Sequence, residues 1–270
     1  MCELFGMSSN RAATISLSLV QLAEHGGLTA PHKDGWGVAF YEDTDVRLVK
    51  DASPAAESDW IGFLRDHHLR SQIVIAHLRT ATTGARAYRN TQPFVRELAG
   101  RMHVFAHNGW LREVRASSEF GLERFCPVGE TDSEWAFCAL LEKLADVWKH
   151  PGEVPSIDAR MRVIADFAQR LRPLGPANFL YSDSDTLFAH GDRRMSSDTH
   201  RVEAPGLVYL QRWCARGEPR LSTTGLSIES ADQTITLVAS VPLTKDAWLP
   251  FEEGEVIAIS NGQLVARAVG

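Results

Sequence analysis

The stretch Thr131-Asp-Ser-Glu-Trp-Ala-Phe-Cys-Ala-Leu-Leu-Glu-Lys-Leu144 decides the fold class, because it predicts a long helix in the middle of a strand-rich chain. Its apolar residues recur at steps of three or four, as on one face of a helix. They are Trp135, Cys138, Leu141, Leu144 and, one turn later, Trp148. Thr131 and Glu134 match a capping box at its start. The pattern therefore predicts an amphipathic helix that packs on other structure.

Two further helices are predicted outward from this segment. One begins at Ser156 after Pro155, repeats apolar residues at the same spacing, and ends before Pro173. A weaker pattern predicts another helix over Thr14 to Glu24, ahead of a Gly26-Gly27 turn. The two middle helices are the better defined, because each has a capping residue and a regular apolar face.

Strand-like segments, rich in β-branched and aromatic residues, precede and follow the two middle helices. They are predicted at Glu3–Gly6, Trp36–Tyr41, Val46–Lys50, Ile73–Leu78, Met102–Ala106, Ala177–Ser182, Thr186–Ala189, Gly206–Gln211, Thr234–Ala239 and Val256–Ser260. Strands that bracket a helical middle indicate an α+β fold made of layers. No internal repeat, low-complexity tract or linker interrupts the chain, so we expect a single domain over residues 1–270.

The composition is that of a folded protein with small-molecule partners. Hydrophobic residues make up 44%, charged residues 23%, and the net charge is -6, which argues against nucleic acid as a partner. The start lacks the features of a secretory signal, and the longest uncharged run, Ala12–Ala23, is too short to span a membrane. We therefore expect a cytoplasmic protein without a membrane partner. Its widely spaced cysteines are expected to be free thiols, namely Cys2, Cys126, Cys138 and Cys214.

Cys2 follows the initiator methionine directly, so removal of Met1 would leave one residue with both a thiol and a free α-amine. The amine titrates at about 7.7–8.0 and the thiol at about 8.5, so the amine can take the thiol proton at neutral pH. Cys2 is thus a candidate nucleophile that needs no histidine base. A cysteine at this position is equally compatible with no function, so other motifs have to decide.

The segment Ile73-Val-Ile-Ala-His-Leu-Arg79 alternates as a strand does, which places His77 and Arg79 on one face at its end. Arg79 can hold a substrate carboxylate through two parallel hydrogen bonds, and bonds to charged groups contribute about 1.5–3 kcal/mol each. The alternative is a structural arginine that pairs with a carboxylate of the protein itself.

His107-Asn108-Gly109 ends the next predicted strand. An Asn-Gly dipeptide by itself is typical of a hairpin turn. The functional interpretation is that the Asn108 amide and the Gly109 N–H both donate to one carbonyl oxygen, forming an oxyanion hole for a tetrahedral intermediate.

Asp132 lies in the first turn of the predicted middle helix, where the helix dipole and unpaired N–H groups already favour an acid. Capping is therefore a sufficient explanation of this residue. The functional alternative is that its carboxylate receives the α-ammonium group of an amino-acid substrate. Arg79 would then hold the α-carboxylate of the same molecule.

Six short motifs, taken together and in order, resemble the class II glutamine amidotransferases of the N-terminal-nucleophile superfamily. They are Met1-Cys-Glu-Leu-Phe-Gly6, Lys33-Asp-Gly-Trp-Gly-Val38, Ala76-His-Leu-Arg-Thr-Ala81, Asn90-Thr-Gln-Pro-Phe94, Ala106-His-Asn-Gly109 and Thr131-Asp-Ser-Glu134. The likeness covers essentially the whole chain and is strongest to the stand-alone YafJ-type members, including a late Val241-Pro-Leu-Thr244 segment. At one position the chain departs from glucosamine-type members, since Thr80 stands where they carry tryptophan.

The resemblance implies a four-layer α-β-β-α sandwich and the hydrolysis of glutamine to glutamate and ammonia through a γ-glutamyl thioester. It implies the following roles: Cys2 as nucleophile, Asn108 and Gly109 as oxyanion hole, Arg79 and Asp132 as ligands of the glutamine α-carboxylate and α-amine, and Thr82 and His77 in support of that pocket. All of these residues stand in the motifs quoted above except Thr82, which directly follows the Ala76–Ala81 motif.

No cofactor is expected, because the chain has neither a G-x-x-x-x-G-K-[ST] phosphate loop nor a G-x-G-x-x-G fingerprint. Multidomain relatives carry a second domain that uses the ammonia, but only about 138 residues follow Asp132. The expected partners are therefore a small-molecule substrate and a separate ammonia-accepting synthase. The sequence leaves the oligomeric state open, a homo-oligomer included.

One alternative function is hydrolysis of other γ-glutamyl amides, such as glutathione-like compounds. The same pair, Arg79 and Asp132, would hold the head group of any such substrate. The part of the substrate beyond the scissile amide would then be recognised by Trp36, Trp110 or Arg193-Arg194. For these residues, a place in the core or on the solvated surface is the simpler explanation.

A second alternative is a non-catalytic module that binds a metal or a partner. His103 and His107 fall on one strand face, expected to lie near His77, and imidazoles are common zinc ligands. Cysteine or acidic partners at regular spacing are missing, however, so no metal is expected.

Overall fold

The fold consists of antiparallel strands and α-helices, as seen in a computed structural model that describes residues 2–17, 34–67, 69–81, 83–196, 199–214, 221–223, 226–229 and 232–269. The strands are β1 (Glu3–Leu17), β2 (Trp36–Glu42), β3 (Asp45–Asp51), β4 (Arg70–Leu78), β5 (Phe94–Leu98), β6 (Arg101–Gly109), β7 (Ala177–Ser182), β8 (Leu187–Gly191), β9 (Arg194–Met195), β10 (Val202–Glu203), β11 (Val208–Cys214), β12 (Leu221–Thr223), β13 (Leu226–Glu229), β14 (Gln233–Ala239), β15 (Leu249–Pro250), β16 (Glu255–Ser260) and β17 (Gln263–Val269). The helices are α1 (Asp59–His67), α2 (Asp132–Leu144) and α3 (Ile157–Leu171).

The first sheet has the strand order β15-β11-β14-β1-β4-β2-β3, with β13 also paired to β1 and β12 to β13. β1 lies in its centre and runs antiparallel to β4, with Glu3 opposite Leu78 and Met7 opposite Val74. β2 flanks β4 on the other side, with Trp36 also opposite Leu78. The start of β1, the end of β4 and the start of β2 therefore meet at one end of this sheet.

The second sheet has the order β17-β16-β8-β7-β6-β5. Its strand β6 pairs with β7, so that Asn108 lies opposite Asn178 and Gly109 opposite Ala177. A separate hairpin of β9 and β10 connects β8 to β11, and Arg194 pairs with Glu203 within it.

Side chains alternate between the two faces of each sheet and divide the core into three apolar clusters. In β1, Phe5 packs in the cluster that contains Leu64 of α1, whereas Leu4 faces the second sheet. In β6, Val104 faces the first sheet, whereas Phe105 packs against α2 and α3. The chain is therefore an α-β-β-α sandwich, as the family resemblance implies.

The two middle helices are confirmed, including their starts. Thr131 caps α2 by accepting a hydrogen bond from the Glu134 N–H at 3.2 Å, and Ser156 caps α3 in the same way. The capping box itself is only half formed, because the Glu134 carboxylate accepts from the N–H groups of Val128 (3.0 Å) and Gly129 (2.6 Å) instead. Glu134 thus ties the preceding loop to the helix.

The predicted helix over Thr14 to Glu24 is wrong where the structure describes it. β1 continues to Leu17 and pairs with β13, with Thr14 opposite Glu229, while residues 18–24 lie outside the described residues. Strand pairing overrides the weak helical pattern here, as tertiary context commonly does. The sequence also did not indicate α1, β5 or β17, which are short or at sheet edges.

Candidate active site

The thiol of Cys2 lies at the end of the first sheet where β1 begins. Because β1 and β4 are antiparallel neighbours, Cys2 sits beside the residue that follows Arg79. The Cys2 thiol donates to the Thr80 carbonyl at 3.2 Å, and the Thr80 N–H donates to Cys2 Sγ at 3.2 Å. The main chain at the end of β4 thus fixes the sulfur and offers it an N–H that favours the thiolate.

With Met1 in place, the Cys2 thiol is a weak nucleophile. Burial raises its pKa to about 11, although the Thr80 N–H, the charge of the amino terminus and Arg79 all lower it. Almost none of such a thiol is ionised at neutral pH. Reactivity therefore needs a base next to the sulfur, and an α-amine on Cys2 itself would be one.

Arg79 is almost fully buried, at 3% exposure, and its guanidinium is held by main-chain carbonyls. Nη1 donates to Asp34 O at 3.0 Å, and Nη2 donates to the carbonyls of Thr83 (3.0 Å) and Gly84 (3.2 Å). Among the described residues no carboxylate forms an ion pair with Arg79, so a structural ion pair within this part of the chain is excluded. Burial lowers the pKa of Arg79, and an incoming carboxylate would compensate its lost hydration.

Asn108 and Gly109 lie inside β6 and pair with β7, so the hairpin-turn interpretation of this Asn-Gly pair is wrong. The Asn108 amide Nδ2 donates to the carbonyl of Cys2 at 2.6 Å, which joins the two sheets at Cys2. At Gly109 a Cβ would lie 1.7 Å from Pro176 O and 2.8 Å from His107 Nε2. Only glycine fits there, so packing alone accounts for this residue.

A buried hydrogen-bond network fixes the end of β6. Gln92 pairs with the main chain of His107, accepting from its N–H at 2.6 Å and donating to its carbonyl at 3.1 Å. Burial lowers the pKa of His107, against the charge of Asp132, so the ring is neutral at pH 7. Its Nε2 lies 3.3 Å from the Pro176 carbonyl, which only accepts, so Nε2 carries the proton and the Ser133 hydroxyl donates to Nδ1 at 2.9 Å.

Asp132 is the first residue of α2 and lies next to this network. Its Oδ2 accepts from the Leu111 N–H at 2.7 Å, two residues beyond Gly109. Its other carboxylate oxygen has no hydrogen bond within the described part of the chain. A carboxylate with one fixed and one available oxygen suits an ammonium group.

Comparison with known proteins identifies the family. The family of class II glutamine amidotransferases matches residues 1–269. The chain belongs to this family. The Escherichia coli (strain K12) protein YafJ is 38% identical over 261 residues, which cover 94% of this chain and 96% of that protein. A Haemophilus influenzae glutamine amidotransferase homologue is 31% identical over 280 residues, covering 100% of this chain and 88% of that protein.

Solved structures of amidotransferases have the same fold. A predicted glutamine amidotransferase of Pseudomonas aeruginosa PA01 superposes with a TM-score of 0.69 at 32% identity, covering 98% of this chain and 100% of its own. The glutamine phosphoribosylpyrophosphate amidotransferase of Bacillus subtilis superposes with a TM-score of 0.62 at 17% identity. This chain is covered to 99% but spans only 49% of the Bacillus chain, so that likeness concerns the fold alone.

The other candidate residues have mixed outcomes. His77 is fully buried in β4, opposite Leu4, and Thr82 lies outside the described residues. Of the aromatic residues proposed to read a larger substrate, Trp36 is 0% exposed and belongs to the core, whereas Trp110 is 47% exposed.

The expected grouping of three histidines is wrong. His103 contacts Trp148 and Tyr181, and it faces the helices together with His107, whereas strand alternation turns His77 toward the space between the sheets. Within the described residues no group of three or more His, Cys, Asp or Glu side chains could hold a metal ion. The same part of the chain contains no helix long and apolar enough to cross a membrane.

Two residues that support the site were not foreseen. Gln92 lies in the quoted Asn90–Phe94 motif, whose recurrence in the family could have indicated a role. Ser240 directly precedes the quoted Val241–Thr244 segment, and its hydroxyl accepts from the Leu4 N–H at 3.0 Å and from Asn108 Nδ2 at 3.4 Å. No local pattern marks a serine at the end of a strand as part of a site.

Proposed function

We propose that this protein hydrolyses the side-chain amide of glutamine to glutamate and ammonia, with Cys2 as an N-terminal nucleophile. The observation that carries the proposal is the contact between two elements from different sheets. The Asn108 amide donates to the main chain of Cys2 at 2.6 Å, so a side-chain amide donor stands beside the thiol. That is the arrangement that acyl transfer to sulfur requires.

Arg79 and Asp132 bind the two charged groups of the glutamine head. Arg79 contributes the guanidinium N–H groups that its three main-chain acceptors leave available, and Asp132 contributes its second carboxylate oxygen. Both residues lie close to the proposed reacting groups. Thr80, which follows Arg79, contacts the Cys2 thiol, and Ser133, which follows Asp132, contacts His107, the residue before Asn108. Head-group binding therefore presents the side-chain amide to the thiol.

In the acylation step the α-amine of mature Cys2 takes the thiol proton, and the thiolate attacks the amide carbon. The resulting oxyanion accepts hydrogen bonds from the Asn108 amide and the Gly109 N–H. The ammonium group then returns the proton to the leaving nitrogen, the C–N bond breaks, and ammonia leaves a γ-glutamyl thioester.

In the hydrolysis step a water molecule gives a proton to the same α-amine and attacks the thioester carbon. The oxyanion forms again at the same donors and collapses with cleavage of the C–S bond. Glutamate leaves, and the thiolate recovers its proton from the ammonium group. A separate synthase is the proposed acceptor of the released ammonia.

Hydrolysis of another γ-glutamyl amide is the second candidate, because Arg79 and Asp132 would bind only the α-carboxylate and α-amine, which all γ-glutamyl amides share. The exposed ring of Trp110, next to Gly109, is the feature that favours it, since Arg112 lies 4.7 Å above that ring and together they offer an aromatic and cationic surface. A leaving group larger than ammonia would have to be recognised by such a surface.

The test is glutamate release from glutamine and from a panel of γ-glutamyl compounds, with Cys2→Ala as the control. The proposal expects turnover of glutamine that is lost in Cys2→Ala. Preference for a larger γ-glutamyl amide would select the second candidate. Turnover that survives Cys2→Ala would contradict both.

Maturation provides a separate test. Intact mass of the active protein is expected to lack Met1, and an uncleavable residue placed before Cys2 should abolish turnover while the protein stays folded. Full activity with Met1 retained would contradict the role of the α-amine.

A further inference from the structure

Ser240 is the point at which the nucleophile strand and the oxyanion donor are held together. Its N–H donates to Leu4 O at 3.1 Å, and its hydroxyl accepts from the Leu4 N–H at 3.0 Å. The same hydroxyl accepts a hydrogen bond from Asn108 Nδ2 at 3.4 Å, and that amide nitrogen also donates to Cys2 O at 2.6 Å. A shift of Ser240 would therefore move Cys2 and Asn108 relative to each other.

Arg194 holds Ser240 from the opposite side. Its Nη1 donates to the Ser240 carbonyl, and its Nη2 pairs with Glu3 Oε1 at 3.1 Å. The side chains of Arg194 and Glu3 are only 13% and 5% exposed, so solvent screens the pair weakly. Glu3 is the residue next to Cys2, so one guanidinium binds both β1 and the end of β14.

The main chain beside Arg194 is fixed to the second sheet as well. Asn178 Nδ2 donates to Arg193 O at 2.7 Å and to Asn108 O at 3.2 Å, and its Oδ1 accepts from the Asp192 N–H at 2.8 Å. The hairpin of β9 and β10 therefore has a fixed base from which Arg194 extends.

We propose that Arg194 is a positioning residue that sets the distance between the Cys2 nucleophile and the Asn108 oxyanion donor, acting through Glu3 and Ser240. The inference rests on the proposed function of Cys2 and Asn108. Arg194 touches neither substrate nor reacting atoms. Its planar guanidinium donates to the Glu3 carboxylate and the Ser240 carbonyl at the same time. A lysine ammonium on its flexible side chain is less suited to two such acceptors.

Such a residue should affect kcat more than KM. Arg194 bonds to Ser240 and Glu3, whereas Arg79 and Asp132, the proposed ligands of the substrate head, bond to Asp34 and Leu111, so we expect binding to be kept when Arg194 is changed. Acyl transfer depends on the alignment of sulfur and oxyanion donor, and small misplacements far from the chemistry can cost about 10²-fold.

The experiment compares Arg194→Gln and Arg194→Lys with wild type, and Arg160→Gln serves as matched control. Arg160 forms an equally buried pair with Asp183, 2.8 Å apart, and contacts none of the site residues. We expect Arg194→Gln to lower kcat for glutamine by about tenfold or more with KM within about twofold, and Arg194→Lys to recover part of kcat. Labelling of Cys2 by 6-diazo-5-oxo-norleucine should slow in parallel. Arg160→Gln should lower Tm but leave kcat within about twofold.

Wild-type kcat in Arg194→Gln, or an equal loss in Arg160→Gln, would overturn the positioning role. If Arg194→Gln does not fold, Ser240→Ala takes its place with an expected loss of about fivefold in kcat, and unchanged kcat would overturn the role equally. Cys2→Ala separates the two proposals, because hydrolysis that persists in that variant refutes the nucleophile whatever Arg194 does.

Discussion

The two sheets contribute different kinds of support to the site. At the end of the first sheet, Cys2 and Arg79 are held by main-chain groups, namely those of Thr80, Asp34, Thr83 and Gly84. At the end of the second sheet, side chains provide the support, since Gln92 bonds to the main chain of His107 and Ser133 bonds to the His107 ring. The first half is fixed by main-chain groups, whereas in the second half buried side chains hold the strand end that carries Asn108 and Gly109. Substitutions in the first half should therefore impair chemistry and binding, and those in the second half should also reduce stability.

The largest effect is expected at Cys2, the proposed nucleophile. Cys2→Ala should lower kcat by more than about 10³-fold, because no thioester forms. Its Tm should stay close to that of wild type, since among the described residues the thiol bonds to the main chain of Thr80 alone. Glutamate release and thermal melting check both expectations. A large fall in Tm would mean that the first-sheet half is structural after all.

A smaller loss of activity is expected at Asn108, the proposed oxyanion donor, together with a loss of stability. Asn108→Ala should lower kcat by about 10²–10³-fold. Removing a buried amide that is 2% exposed and bonds to Cys2 O should also cost about 1–3 kcal/mol in the free energy of unfolding. Steady-state kinetics and denaturant unfolding separate the two effects. A rise in KM alone would assign Asn108 to ground-state binding.

Arg79→Lys should give a moderate loss that falls on binding. Lysine keeps the positive charge but lacks the two parallel N–H donors of the guanidinium, so kcat/KM should fall by about 10–100-fold, chiefly because KM rises. The shift in Tm should be smaller than that of Asn108→Ala. Glutamine titrations at fixed enzyme concentration test this, and a loss confined to kcat would speak against α-carboxylate binding by Arg79.

The sequence predicted the parts of the molecule that depend on local pattern. α2 and α3 follow from apolar spacing and the caps Thr131 and Ser156, and the ten predicted strand segments all fall in observed strands or overlap them. The end of β1 was not predictable, because its pairing with β13 depends on residues more than 200 positions away. The same holds for the pairing of Arg194 with Glu3, which joins positions 191 residues apart. Contacts of that kind leave no periodic signal in the chain.

The smallest effect concerns the helix-facing side of the second sheet, where His103 tests whether histidines there are structural. Burial lowers the pKa of His103 to about 4, so the ring stays neutral in the folded protein, while in the unfolded chain it titrates near about 6.5. Below pH 6.5 the unfolded state therefore binds more protons than the native state, and stability is lost as the pH falls from about 6.5 towards about 4.

His103→Phe removes this contribution to the pH dependence of stability. Between pH 7 and pH 5 the variant should lose about 2 kcal/mol less unfolding free energy than wild type. The variant also loses the 2.6 Å contact between His103 and the Tyr181 hydroxyl, which lowers its stability by the same amount at both pH values. That loss therefore cancels when the change in unfolding free energy between pH 7 and pH 5 is compared with that of wild type. Denaturant unfolding at the two pH values measures it, and glutamine turnover at pH 7 should match wild type because His103 contacts no site residue. An identical pH dependence in both proteins would show that the folded protein does not hold His103 neutral. A variant that is folded but inactive would show that side chains facing the helices take part in the chemistry, and that the division between the two halves of the site is wrong.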